Sequence, residues 1–302
     1  MTLPELHDRF CAEASMLHEL SDRTIQWYRY GFKNLQRYKA FSTLKELDEL
    51  TLTEFLFWGK KTRDWKSKTL LGNYNSLSSF FAWCVRKNLI VKSPLENIPR
   101  PKLAQSLPKS LTKKQALQLF ESVQMLAVPK TYSPRMFHKR RDIAIFAMFL
   151  FTGLRRQELI NLKLDDVNFN EDIITVHAGK GNKDRIIPMS FELKRYLQHY
   201  IKEREVNEVL SPYFFTTVKY QGSLGVRTLT RLFERVKQAS GIQFSAHQLR
   251  HTFATMMAQS KCDIYALSKM MGHSDIKTTT IYLSASTEHL KTQINNHPLN
   301  FA

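Results

Sequence analysis

Cysteine is scarce: three residues, Cys11, Cys84 and Cys262, lie far apart in a chain of 302, and none falls in a CxxC spacing. That excludes a disulfide framework and a zinc site of paired cysteines, and it suits a reducing compartment. Long apolar runs are also missing, since the longest, "IAIFAMFLF" (Ile143 to Phe151), is about half of what spans a bilayer. The opening "MTLPELHDRF" has acids where a secretory signal needs bases, so the chain is expected in the cytoplasm, away from membranes. There is no GxxxxGK[ST] loop for a nucleotide and no carboxylate cluster spaced for two metals, so no nucleotide or metal cofactor is expected. Acids are few beside bases, 27 against 45, which leaves a formal charge of +18. Such an excess calls for a polyanionic partner. Residues 1–105 hold 17 basic and 11 acidic side chains and the rest hold 28 and 16, so both halves are basic. Charge shared in this way suits a protein that grips a polyanion from two sides.

What is present is enough hydrophobic residue, 43%, to fill two cores of ordinary size. The first hundred residues read as helices. "SDRTIQWYRYGFKNLQRYKA" has apolar residues at helical spacing with Ser21 or Asp22 as its cap, and "TLTEFLFWGKKT" and "SLSSFFAWCVRKNLI" repeat the pattern. Pro94, Pro99 and Pro101 then punctuate a stretch with no periodic apolar face, which predicts a linker and a domain boundary near residue 105. Beyond it, Thr112 and Gln115 stand in capping-box spacing, and a helix is expected over roughly Arg140 to Phe151. "DIITVHAGKGNKDRIIPMS" places two β-branched runs about a Gly/Lys/Asn turn and reads as a hairpin, after which helices return.

Four motifs hold polar residues suited to chemistry. In "TGLRRQEL" (Thr152 to Leu159), Gly153 can end one helix so that Arg155 starts the next, where a cation opposes the helix dipole unless an anion offsets it. Arg155 and Glu158 at i and i+3 would equally make a local ion pair. In the turn "GKGNKDR" (Gly179 to Arg185), Lys180 stands between two glycines that permit close approach, and spacing barely separates it from Lys183. In "AHQLRHTFAT" (Ala246 to Thr255), His247, Arg250 and His251 share one helix face, where the intervening cation argues against a metal and for a phosphate. In "GHSDIKTTTIYLSAS", Gly272 closes a helix, His273 follows on the loop, and Tyr282 lies on the next short helix.

Together these form an inventory for attack on a phosphodiester. Arginine forks match the non-bridging oxygens and stabilise the charge that builds up on phosphorus, each by roughly 10²–10³ in rate. A tyrosine hydroxyl becomes a nucleophile once a base or neighbouring cations remove its proton. The phosphoester it forms conserves the energy of the broken bond, so rejoining needs no nucleotide.

The same residues, in this order, resemble the tyrosine recombinase (phage integrase and Xer) family. The resemblance covers residues 107–285 through "TGLRRQEL", "GKGNKDRIIPM", "HQLRHTFAT" and "MGHSDIKTTTIYLS", and more weakly "SDRTIQWYRYGFKNLQRYKA". It implies a mainly α fold with a small β-hairpin or sheet in the catalytic domain (α+β), in two domains that form a C-shaped clamp on double-stranded DNA. Residues 1–105 would be a helical core-binding domain, 106–286 the catalytic domain, and 287–302 a tail helix for protomer contacts. Tyr282 would be the nucleophile, with Arg155 and Arg250 clamping the phosphate and His273 adding a hydrogen bond. Lys180 would protonate the leaving oxygen, His247 would assist proton transfer at the tyrosine, and Glu158 would brace the site. His251 is expected to be structural. The resemblance further implies a homotetramer on two synapsed sites, a Holliday junction, and no cofactor. With no large extra N-terminal arm-binding domain, an Xer-like or transposon-type layout is expected. A type IB topoisomerase, a noncatalytic DNA-binding regulator and a metal-dependent nuclease are the alternatives.

Overall fold

In a computed structural model, residues 1–103, 109–177, 184–218, 222–273 and 277–280 are described. The chain divides into two compact units, Met1–Ser106 and Leu107–Ala302.

The first unit is built from α1 (Leu3–Met16), α2 (Asp22–Tyr38), α3 (Glu49–Lys61) and α4 (Ser67–Arg86). Each of the first three starts at a side chain that accepts a backbone N–H of the first turn, Thr2, Ser21 and Asp48. Their inner faces join in one core around Leu3, Leu35, Leu52, Phe55, Phe80 and Phe81. His7 belongs to that core: it stacks on Phe32 at 4.1 Å, and burial, followed by Arg29, lowers its pKa to about 4. A buried hydrogen bond from Asn34 to Asn73 (2.9 Å) fixes α2 on α4.

The second unit is organised around α6 (Arg135–Thr152), which is apolar on nearly every side from Ile143 to Phe149 and therefore runs through the middle of the core. It packs against α5 (Lys113–Met125), capped by Thr112 and Gln115 as their spacing predicts, and against α8 (Phe191–Val206) and α10 (Ala246–Gln259). A short helix α7 (Arg156–Asn161) follows α6 directly, and α9 (Val226–Ser240), α11 (Ile264–Met271) and α12 (Lys277–Thr280) complete the helical part. Asp142 is buried in α6, where it accepts from Arg141 at 2.8 Å and faces Arg235 of α9 at 3.6 Å, so the one carboxylate ties two elements.

The expected hairpin consists of β2 (Ile173–Val176) and β3 (Arg185–Pro188), and a two-residue strand β1 (Val167–Asn168) adds to its edge, giving an antiparallel sheet in the order β1-β2-β3. In the β2–β3 register Ile174 pairs with Ile187 and Val176 with Arg185. Ile174, Val176, Arg185 and Ile187 are all buried, so the core-facing side of the sheet ends in a guanidinium. Among the described residues no helix is long and apolar enough to cross a membrane.

Candidate active site

Gly153 closes α6 in the left-handed conformation (φ 63°), and the chain turns at once into α7 with Arg155 as its N-cap residue. The unfavourable position of a cation at a helix start is met inside the fold. Glu158, at the third position of α7, accepts the Arg155 backbone N–H at 2.7 Å and the Arg155 Nη1 at 2.7 Å. Its two oxygens also accept a fork from Arg185 of β3, at 2.9 and 2.7 Å. Burial alone would raise the Glu158 pKa, but the bonds from Arg185 and Arg155 outweigh burial and hold it at about 2. The local ion pair read from the i, i+3 spacing therefore exists, within a larger arrangement.

That arrangement centres on the C-terminus of α11. The last carbonyls of a helix lack intrahelical donors and sit at the negative end of its dipole. Here three successive carbonyls each take a different arginine. Met270 O accepts from Arg185 Nε (2.8 Å), Met271 O from Arg250 Nη2, and Gly272 O from Arg155 Nη2 (3.1 Å). Arg250, projecting from α10, also donates through Nη1 to Gly153 O at 2.7 Å, which joins the end of α6 to the end of α11. Gly272 is left-handed (φ 63°), and a Cβ there would lie 2.9 Å from Arg185 Cδ, so the position needs glycine for both conformation and space.

His273 follows, with its Nδ1 2.7 Å from Thr279 Oγ1 of α12. Burial, then the charges of Arg250, Arg155 and Arg185, lower its pKa to about 4, so the ring is neutral near pH 7. His251 is likewise lowered to about 4, by burial, His247 and Arg250. His247 is exposed one turn earlier on α10, with its ring 4.2 Å from that of His251 and edge-on to it.

Arg155, Glu158, Arg250 and His273 are thus gathered at one helix end, and His247 adjoins them through His251. Lys180, its rival Lys183, Tyr282 and the tail 287–302 lie outside the described residues. Arg185 was not among the residues singled out from the sequence, and neither was Thr279. Three guanidinium groups and one carboxylate meet here, and Arg155 keeps 40% of its side chain exposed. The excess of positive over negative charge here suits an anion that offers several oxygens at once.

Residues 109–289 match the phage integrase family. The chain belongs to that family. Its relatives within it are tyrosine recombinases: XerA of Pyrococcus furiosus is 36% identical over 65% of this chain and 64% of that protein. XerC of Corynebacterium efficiens is 30% identical over 95% of this chain and 88% of its own length. Among solved structures, the XerH site-specific recombinase bound to palindromic difH substrate, a post-cleavage complex, superposes with a TM-score of 0.75 at 24% identity, over 95% of this chain and 82% of that one. The expected family, its mainly helical fold with a small sheet, and site-specific recombination as the activity are borne out, and the topoisomerase and regulator alternatives are not favoured.

Proposed function

We propose that this integrase-family chain recombines DNA through a covalent link between Tyr282 and a 3′-phosphate. The Tyr282 oxygen attacks phosphorus, the bond to the 5′-oxygen breaks, and Lys180 supplies the proton that the leaving oxygen takes up. His247 assists removal of the phenolic proton. Attack by the 5′-hydroxyl of a partner strand reverses these steps and returns the tyrosine, so no external energy source enters. Arg155 and Arg250 hold the non-bridging oxygens as negative charge builds, neutral His273 donates a hydrogen bond to one of them, and Glu158 keeps Arg155 in place. The observation that carries this reading is the set of three arginines held on the carbonyls of Met270, Met271 and Gly272, a fixed concentration of positive charge suited to a phosphate.

The remaining features follow from family membership together with charge. Residues 1–105 act as a DNA core-binding domain, each unit contacts the duplex, and four protomers synapse two sites in the cytoplasm with the tail 287–302 linking neighbours. The excess of basic residues in both halves supports the duplex as partner.

The test is chemical. On a nicked duplex built around the site that footprinting defines, the wild-type protein should become covalently attached, in excess EDTA as well as without it. Tyr282→Phe should still bind that duplex and form no adduct. An adduct that survives in this variant, or a labelled peptide that does not include position 282, would mean that another residue is the nucleophile.

A further inference from the structure

Arg185 is the first residue of β3, and its register with Val176 turns its side chain into the protein, where only 6% of it remains exposed. A guanidinium in that position must have its donors satisfied. Its Nη1 and Nη2 form a two-pronged bond with Glu158, and its Nε reaches past them to Met270 O. The planar fork therefore joins two elements that the chain leaves 112 positions apart, α7 and the end of α11. Each of these elements also holds Arg155, through Glu158 and through Gly272 O. The stem of Arg185 packs over Gly272, in the space a Cβ would fill.

We propose that Arg185 is a positioning residue for DNA cleavage: by locking Glu158 to the C-terminus of α11 it sets the direction in which Arg155 meets the scissile phosphate. This rests on the preceding reading of the site. Arg185 need not touch DNA. With Arg185 replaced, Glu158 loses half of its donors, and Arg155 can swing with the carboxylate that braces it. A lysine would keep the charge and lose the fork, since an ammonium cannot span both carboxylate oxygens and Met270 O in one plane.

The experiment compares the wild type with Arg185→Gln and Arg185→Lys on two nicked duplexes of the footprinted site. One carries the ordinary scissile phosphate and the other a methylphosphonate, which lacks one charged non-bridging oxygen. Thermal unfolding and gel-shift binding are measured alongside. The expected result is that both variants fold and bind, and that both form the covalent adduct roughly 10- to 100-fold more slowly on phosphate, by analogy with the outer-shell partners that orient metal ligands. Most of that loss should disappear on the methylphosphonate, because the charge that Arg155 must be aimed at is gone. If Arg185→Gln does not fold, Arg185→Lys decides alone by the same comparison. Unchanged cleavage, or an equal loss on both duplexes, overturns the inference and leaves the tyrosine reading intact. A wild-type protein that forms no adduct overturns both.

Discussion

Burial first, and then a concentration of positive charge, holds His273 neutral before any DNA arrives. Arg250, Arg155 and Arg185 lie close by, His251 adds to them, and Thr279 holds its Nδ1. A neutral ring in that setting can donate to a phosphate oxygen without adding a further cation to the crowd. In the free protein the His273 ring should titrate near 4 and stay neutral at about pH 6, below the ordinary histidine value. Its Cε1–H resonance, assigned with His273→Gln, reports this in an NMR titration. Addition of the target duplex should move the midpoint upward, because a phosphate charge offsets the three arginines. A free-protein midpoint at the ordinary value would mean that the cationic cradle is open to water, and that burial does not act on the ring.

At the scale of elements, the end of α11 is the organising feature, and Gly272 tests it. Gly272→Ala places a side chain in the left-handed region, which costs about 1–2 kcal/mol, and drives its Cβ against Arg185 Cδ, 2.9 Å away. The variant should lose stability by at least the conformational amount in a urea titration, and cleavage should fall further than stability explains, since Arg185 must leave Met270 O to make room. Cleavage that tracks the folded fraction alone would show that α11 tolerates displacement of Arg185. Much of this element was legible from local rules: Gly153 and Gly272 stop helices where their spacing predicts, Thr112 and Gln115 cap α5, and the two β-branched runs pair as β2 and β3. Arg185 was not legible. "RIIP" has apolar side chains on both faces, and the structure exposes Ile186 by 57% while burying Ile187, so alternation alone cannot say which way Arg185 points. Only the pairing with β2 and the carboxylate of Glu158 decide it. Strand β1 was equally hidden, because two residues carry no period and their conformation is held by β2. Thr279 looked like one of several equivalent threonines until α12 turned it toward His273.

Over the whole molecule, histidines held neutral by burial couple folding to pH. His7 in the first unit and His138, His251 and His273 in the second all have pKa values lowered to about 4, with burial the leading cause each time. His199 shifts in the same direction. In the unfolded chain these rings return to the ordinary value of 6.5 and take up protons that the folded chain refuses. The unfolded state therefore binds more protons between 6.5 and about 4, so their contribution to stability is complete above 6.5 and is lost as pH falls through that window. His177 works the other way: Asp184 first, and Asp166, raise its pKa, so its contribution is complete below 6.5 and declines as pH rises through the raised value. Being well exposed, it offsets little of the acid effect. Glu158 adds a later loss, since its carboxylate must be protonated between the ordinary 4.5 and about 2. Thermal melts should accordingly show a Tm that falls steadily as pH drops below 6.5, with the second unit, which holds three of the four most strongly shifted rings, melting first. Bound DNA should reduce the slope by letting His273 keep a proton in the folded state. A Tm that is flat from neutral pH down to about 5 would show that these rings are hydrated in solution and that the cores around them are looser than their packing implies.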